Sequence, residues 1–327
     1  MARVTGSVFL VEIVQKSVEL VTIDLDYAGQ RLDNFLMARL RSLPRSRLYR
    51  ILRKGEVRVN KGRVGPDYRL CEGDIVRIPP VHLTAKKPMP GVSPSFARLL
   101  TDAILFEDDS LMVINKPAGL AVHGGSGLSL GLIEALRQIR EDCRFLELVH
   151  RLDRDTSGCL VIAKKRSALV SCHAALRDKT VDKTYTALAV GRWPVGLDSV
   201  TAPLKKNTLQ SGERMVVAAP DGKPSETGFK VLQHYAGYTL MQAMPVTGRT
   251  HQIRVHARVA GYPLCGDVKY GVTEVNAALA EQGHKRLFLH ASAIDIPYDG
   301  GRLQVQSELP PEWDVFLSTL EAKAPRR

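Results

Sequence analysis

The stretch from Leu148 to Gly158 holds the densest chemistry in the chain. Two apolar residues, Leu148 and Val149, lead into His150, Arg151, Leu152, Asp153, Arg154 and Asp155, and Thr156-Ser157-Gly158 closes the segment ahead of an apolar run from Cys159 to Ala163. Charged side chains set between two buried strands cannot all be hydrated freely, so each needs a partner. A carboxylate held this way can act as nucleophile or as proton acceptor. The plain alternative is a structural ion-pair cluster. His150, Asp153 and Ser157 do not make a hydrolase triad by adjacency, and no G-x-S-x-G elbow surrounds the serine.

Other reaction templates are missing. No G-x-x-x-x-G-K-[ST], no G-x-G-x-x-G after a strand and no H-E-x-x-H occurs. His251 and His256, five residues apart, would point about 140° from each other on a helix, which makes them a poor metal pair. The glycine-rich turn at His123 to Gly127 could cradle a phosphate, although most such turns are only turns.

The elements that must position the segment are mainly short strands. AILFE, LMVINKP, CLVIAKK, KTYTALAVG, FKVLQHY, YTLMQAMPV and LFLHASAIDI read as strands, and LGLIEALRQIR, ALVSCHAALRD and THQIRVHARVAG as helices. Turns join most strands and regular β-α-β alternation is scarce. The pattern predicts an α+β domain over residues 101–327, with a mixed, largely antiparallel sheet and flanking helices. Pro and Gly without periodicity mark residues 81–100 as a linker.

A second unit is expected over residues 25–80, after an N-terminal extension of residues 1–24 with no assigned role. Leu32, Phe35, Leu36, Leu40 and Leu43 recur at helical spacing. Pro44 breaks that helix, and Ser46 is the expected N-cap of a second one carrying Leu48, Ile51 and Leu52. EVRVNKGRV then alternates Val and Arg about an Asn60-Lys61-Gly62 turn. Between Gly29 and Pro80 there are 13 Lys/Arg and five acids, a local excess of +8 in a chain whose net charge is +12. Arg31, Arg45, Arg50, Arg53, Lys54, Arg58 and Lys61 are the candidate contacts to a phosphate backbone.

Composition narrows the class. The chain has 327 residues, 44% hydrophobic and 24% charged, the balance of a globular protein. No apolar run approaches the roughly 18 to 20 residues of a membrane-spanning helix. Glu12 interrupts the N-terminal apolar stretch and no A-x-A-like site follows, so no signal peptide is expected. Five scattered cysteines without a C-x-x-C pair suit a reducing cytoplasm and neither a disulfide framework nor a zinc site.

Residues 31–36 (Arg-Leu-Asp-Asn-Phe-Leu) and 53–60 resemble the S4 RNA-binding domain. His150-Arg151-Leu152-Asp153 with Thr156-Ser157-Gly158 resembles the H-R-L-D-x-x-T-S-G signature of the RluA-type pseudouridine synthases. Asn115-Lys116-Pro117, Lys183-Thr184-Tyr185, Thr247-Gly248-Arg249-Thr250-His251-Gln252-Ile253-Arg254, Gly266-Asp267 before Tyr270-Gly271, and Arg286 to Ala291 follow in that family's order. The resemblance spans Leu25 to the C-terminal region.

The resemblance implies the pseudouridine synthase fold and an isomerase acting on uridines of ribosomal RNA, most closely 23S RNA, with no cofactor, no metal and no membrane partner. A monomer is expected. An inactive RNA-binding assembly factor and a transfer-RNA synthase are the alternatives. The reaction cuts the C1′–N1 bond, turns the base and rejoins it through C5, so nothing is added or lost. The family's catalytic aspartate maps onto Asp153. Its guanidinium partner maps onto Arg254, since a carboxyl group in a closed pocket tends to protonate and a nearby cation opposes this. Tyr185 corresponds to the family's active-site tyrosine, and Arg151 to the residue that fills the space a flipped-out base leaves. Ile253 and Leu289 are expected to pack the pocket wall. From spacing alone, a helix-surface cation is the lesser alternative for Arg254, Tyr185 would more often be core, and Ile253 and Leu289 read equally as core.

Overall fold

The computed structural model of the chain describes residues 12–15, 17–25, 27–40, 43–84, 90–124, 130–208, 214–320 and 322–323. It divides into two compact units, Met1–Pro90 and Gly91–Arg327.

In the first unit, helices Leu32–Arg39 and Arg45–Arg53 cover a three-stranded antiparallel sheet in the order Glu19–Thr22, Ile75–Ile78, Arg58–Val59. The helical stripes read from sequence are the core: Leu32, Phe35, Leu36, Leu40, Leu48, Ile51 and Leu52 are buried with Val57, Val76 and Ile78. The second helix starts earlier than expected. Pro44, not Ser46, is its N-cap, and the Pro44 carbonyl accepts the amides of Arg47 and Leu48 at 2.9 and 3.0 Å. The Pro44 carbonyl thus serves the third and fourth amides of the helix, and no side chain caps it. Asn60 and Lys61 both take positive φ, and Val59 and Gly62 exchange backbone hydrogen bonds around them. Val59 continues into the sheet by pairing with Val76.

Two buried carboxylates brace this unit. Asp33 accepts both arms of Arg31, at 3.1 and 2.8 Å, and the Tyr49 hydroxyl at 3.0 Å. Asp74 accepts Asn60 Nδ2 at 2.8 Å, the Tyr68 hydroxyl at 3.1 Å and the Cys71 amide at 2.8 Å.

The span 81–100 differs from its reading as a linker. Val81–Thr84 is a strand paired with Glu12–Gln15, and Pro94–Asp102 is a helix capped by Ser93. Pro94 stands at the helix start, a position that tolerates a missing amide, Pro88 lies outside the described residues, and Leu100 is buried in the core of the second unit.

The second unit is built on one sheet with eleven strands among the described residues. Its main path runs Ser199–Thr201, Glu226–Tyr235, Tyr238–Pro245, Asp182–Val190, Leu289–Tyr298, Ser157–Ala163, Leu111–Lys116, Ile104–Glu107. All described pairings are antiparallel except one: Leu289–Tyr298 runs parallel to Ser157–Ala163, through the pairs His290 with Ser157 and Ala291 with Gly158. Ser157–Ala163 is buried at every position, as expected of a strand covered on both faces. Helix Leu132–Ile139 covers one half of the sheet with Leu132, Ile133 and Leu136. Helix Gln252–Val259 brings Ile253 and Ala257 against Ala187, Met241 and Ala243 of the other half.

Among the elements that do not stand out in the sequence are the hairpin Leu204–Thr208 with Arg214–Ala218, the strand Gly301–Gln306, and the helices Thr273–Glu281 and Pro311–Ser318.

Candidate active site

Asp153 lies in the loop that leads into Ser157–Ala163, at the single parallel junction. Three features hold the loop. The Asp153 carbonyl accepts the Thr156 amide at 3.2 Å, closing a tight turn. The His150 ring accepts the Val161 amide through Nε2 at 3.1 Å. Burial, reinforced by the Lys183 charge, pushes that ring's pKa down to about 4, so it is neutral at pH 7. The third is the fully buried Lys116, whose ammonium donates to the carbonyls of Pro117, Leu120 and Arg154 at 2.7, 2.8 and 2.9 Å. Three protons meet three acceptors, and the strand end is tied to the backbone just beyond Asp153. Burial lowers the Lys116 pKa to about 7.

The glycine after Ser157 is required by close approach. Gly158 has φ +105°, and a Cβ there would lie 2.3 Å from the Ala291 carbonyl oxygen.

Arg254 comes from the helix Gln252–Val259 and is buried. Its Nη1 donates to Asp153 Oδ2 at 3.2 Å, while Nε and Nη2 grip Asp267 at 2.7 and 2.8 Å. Asp267 is wholly buried and also accepts the amides of Lys269 and Tyr270, both at 3.0 Å. The guanidinium is thus oriented from one side and presents its remaining edge to Asp153. Burial alone would lower its pKa, but Asp267 and then Asp153 hold it above the ordinary arginine value.

His251 precedes that helix with φ +54°, an uncommon conformation for a non-glycine residue and one that clusters at functional sites. Its Nε2 stands 3.8 Å from Asp153 Oδ2, and its Nδ1 is 2.7 Å from the Tyr270 hydroxyl. That hydroxyl already accepts the Val216 amide at 2.8 Å. The arrangement that uses each group once has Tyr270 donating to Nδ1, which leaves the ring proton on Nε2, facing the carboxylate. Burial lowers the His251 pKa, with the Arg254 charge acting in the same direction and Asp153 opposing.

Asp153, Arg254, His251 and His150 line a cleft of about 580 Å³. Tyr185, half-buried, enters from the strand Asp182–Val190 beside a register shift between Thr184 and Tyr185. Bulges of this kind re-aim side chains. Burial and then the Asp153 carboxylate push the Tyr185 phenol up, so it carries its proton at neutral pH. Ile253 and Leu289 are buried and form apolar wall. Arg151 also lines the cleft, exposed at its rim.

The structure therefore brings Asp153, Tyr185, Arg254, Arg151, Ile253 and Leu289 to one place. The remaining predicted residues belong to the first unit. Arg45, Arg50, Arg53, Lys54, Arg58 and Lys61 are exposed on its second helix and that helix's end, on the strand Arg58–Val59 and in the turn after it, and none forms an ion pair among the described residues. Arg31 differs, being committed to Asp33.

Sequence reasoning gave no role to Asp267, Lys116, His251 or Tyr270. Each sat in a motif noted for its order, but spacing carries no sign of a partner far away in the chain. No group of three or more His, Cys, Asp or Glu able to hold a metal occurs among the described residues.

A family description, RNA pseudouridylate synthase, matches residues 110–258, and the S4 domain matches residues 30–76. The chain belongs to the RluA-type pseudouridine synthases and carries an S4 domain. It is similar to "Ribosomal large subunit pseudouridine synthase C" of Pasteurella multocida, 53% identical over 94% of this chain and 96% of that one. The protein of the same name from Escherichia coli is 55% identical over 90% and 93%. Among solved structures, "Human RNA Pseudouridylate Synthase Domain Containing 4" superposes with a TM-score of 0.59 at 26% identity, covering 71% of this chain and 98% of its own.

Proposed function

We propose that this protein converts uridine to pseudouridine in the 23S RNA of the large ribosomal subunit, using Asp153 as its catalytic carboxylate. The observation that carries the reading is the contact between Asp153 and Arg254, at 3.2 Å across 101 residues of chain, in a cleft that also holds Tyr185.

A uridine extruded from the RNA places its sugar–base junction against Asp153, whose Oδ1 has no hydrogen-bond partner among the described residues. The C1′–N1 bond breaks, the uracil turns within the cleft, and C5 bonds to C1′ as a proton leaves C5 and N1 gains one. Ile253 and Leu289 confine the detached base. Tyr185 stacks on it and offers a phenolic proton. Arg151 fills the space the base has left. The S4 unit, with its unpaired cations, holds the RNA through phosphates. Ribosomal RNA places the reaction in the cytoplasm.

The test is to incubate an unmodified transcript of large-subunit RNA with the protein and map pseudouridine at nucleotide resolution. Site-specific product from the wild type, with none from Asp153→Asn bound to the same RNA, supports the reading. Turnover by Asp153→Asn, or binding without product by the wild type, overturns it.

A further inference from the structure

The charge around the cleft exceeds what the reaction uses. Asp153 is the only acid among the described residues that line it, and Arg254 already faces that acid. Arg151, Arg177, Lys179, Lys183 and Arg249 line it too. Uracil and ribose carry no charge. A cleft ringed by cations of one sign focuses its field on something anionic.

Lys183 is the informative member. It stands two residues before Tyr185 on the same strand, half-buried, in register with Ile294. Among the described residues its ammonium has no ion pair and no hydrogen bond. Its neighbour Asp182 turns to Arg302 instead, at 2.9 Å. The contrast with Lys116 is plain, since that buried lysine meets three carbonyls. Burial lowers the Lys183 pKa, with Asp182 opposing. The fold does not compensate this cation, so a ligand should. Arg177 and Lys179 extend the same wall from the end of helix Arg166–Arg177, both exposed, and Lys179 is held at φ +59° in the turn that follows.

We propose that Lys183, flanked by Arg177 and Lys179, is the seat for a phosphodiester of the RNA strand next to the target uridine. This rests on the pseudouridine synthase reading above. The seat holds the strand beside the cleft, and so sets the RNA concentration at which an extruded nucleotide fills it. It makes Lys183 a positioning residue that takes no part in bond making.

The experiment uses the full chain and the unmodified large-subunit RNA transcript, with initial rates measured against RNA concentration and salt. Lys183→Gln should raise the half-saturating RNA concentration roughly tenfold, keep the saturating rate within about twofold, and make the logarithmic salt slope shallower by about 0.7, the change expected for one lost phosphate contact on a single strand. Lys183→Arg, which keeps the charge, should restore all three. Arg177→Gln and Lys179→Gln, at exposed positions, should each shift half-saturation about two- to threefold in the same direction, and they decide the matter should Lys183→Gln fail to fold. A collapse of the saturating rate that Lys183→Arg does not rescue would assign Lys183 to proton transfer and overturn the seat. An unchanged salt slope in a folded Lys183→Gln, or in both flanking variants, would overturn it as well. Absence of product from the wild type would instead refute the parent reading.

Discussion

Arg254 of the second unit and the exposed cations on the second helix of the first are held in opposite ways. In the second unit, Arg254 is buried and all but one of its edges are spoken for by Asp267. In the first, Arg50, Arg53 and Lys54 stand in solvent with no carboxylate in reach among the described residues. A buried, doubly paired guanidinium has one orientation, which suits it to fixing a reacting carboxylate. An exposed, unpaired one keeps its rotamer freedom and can follow a phosphate chain of variable shape. The same residue type thus serves chemistry in one place and attachment in the other, and its partners set the difference.

Breaking the fixed side should have the largest effects. Asp153→Asn should lower product formation by on the order of 10³-fold or more while RNA affinity stays within about threefold, measured by single-turnover assays and filter binding. Asp267→Asn removes the charge that orients Arg254 and leaves a buried cation with too little compensation. A stability loss of about 3–5 kcal/mol in urea unfolding is expected together with a fall in turnover. A variant as stable as the wild type would show that the pair is not what holds Arg254.

A pH series sharpens the same side. The His150 and His290 rings have pKa values lowered by burial to about 4. Each stays neutral in the fold, while its unfolded counterpart takes up a proton below about pH 6.5. Between these values the unfolded state binds more protons, so stability falls as the pH drops through that window and is complete above it. The expected loss is on the order of 2–3 kcal/mol per ring, read from unfolding at pH 7, 5.5 and 4.5, and His150→Asn should flatten the curve.

The attachment side should give the smallest effect on the reaction itself. Arg50→Gln, Arg53→Gln and Lys54→Gln combined should weaken binding and make the logarithmic salt slope shallower by about 2, with the rate at saturating RNA little changed. An unaltered slope would mean that this face does not meet phosphate.

What was legible in the sequence depended on distance along the chain. The Leu stripes of the first unit, the Asn60-Lys61 turn and the crowded loop at Asp153 are local patterns, and each is where local spacing places it. The partnership of Asp153 with Arg254 spans 101 residues, and only the family resemblance pointed to it. Asp267 could not be found by spacing, because nothing in Gly266-Asp267 shows which cation it will meet. The hairpin at 204–218 escaped notice because Lys205, Lys206, Asn207 and Thr208 are all exposed and lack the apolar alternation of a half-buried strand. Residues 81–100 read as a linker because proline marks element ends as readily as it marks irregular chain.

The large sheet is stitched at its centre by only two rungs, His290 with Ser157 and Ala291 with Gly158. Asp153 hangs from one side of that seam, Tyr185 and Arg254 from the other. Any shear between the halves is therefore read directly as a misfit between acid, ring and guanidinium. A methyl group added at Gly158 would push the Ala291 carbonyl away and open the seam. The catalytic centre of this molecule is thereby also the gauge of whether its two halves are in register.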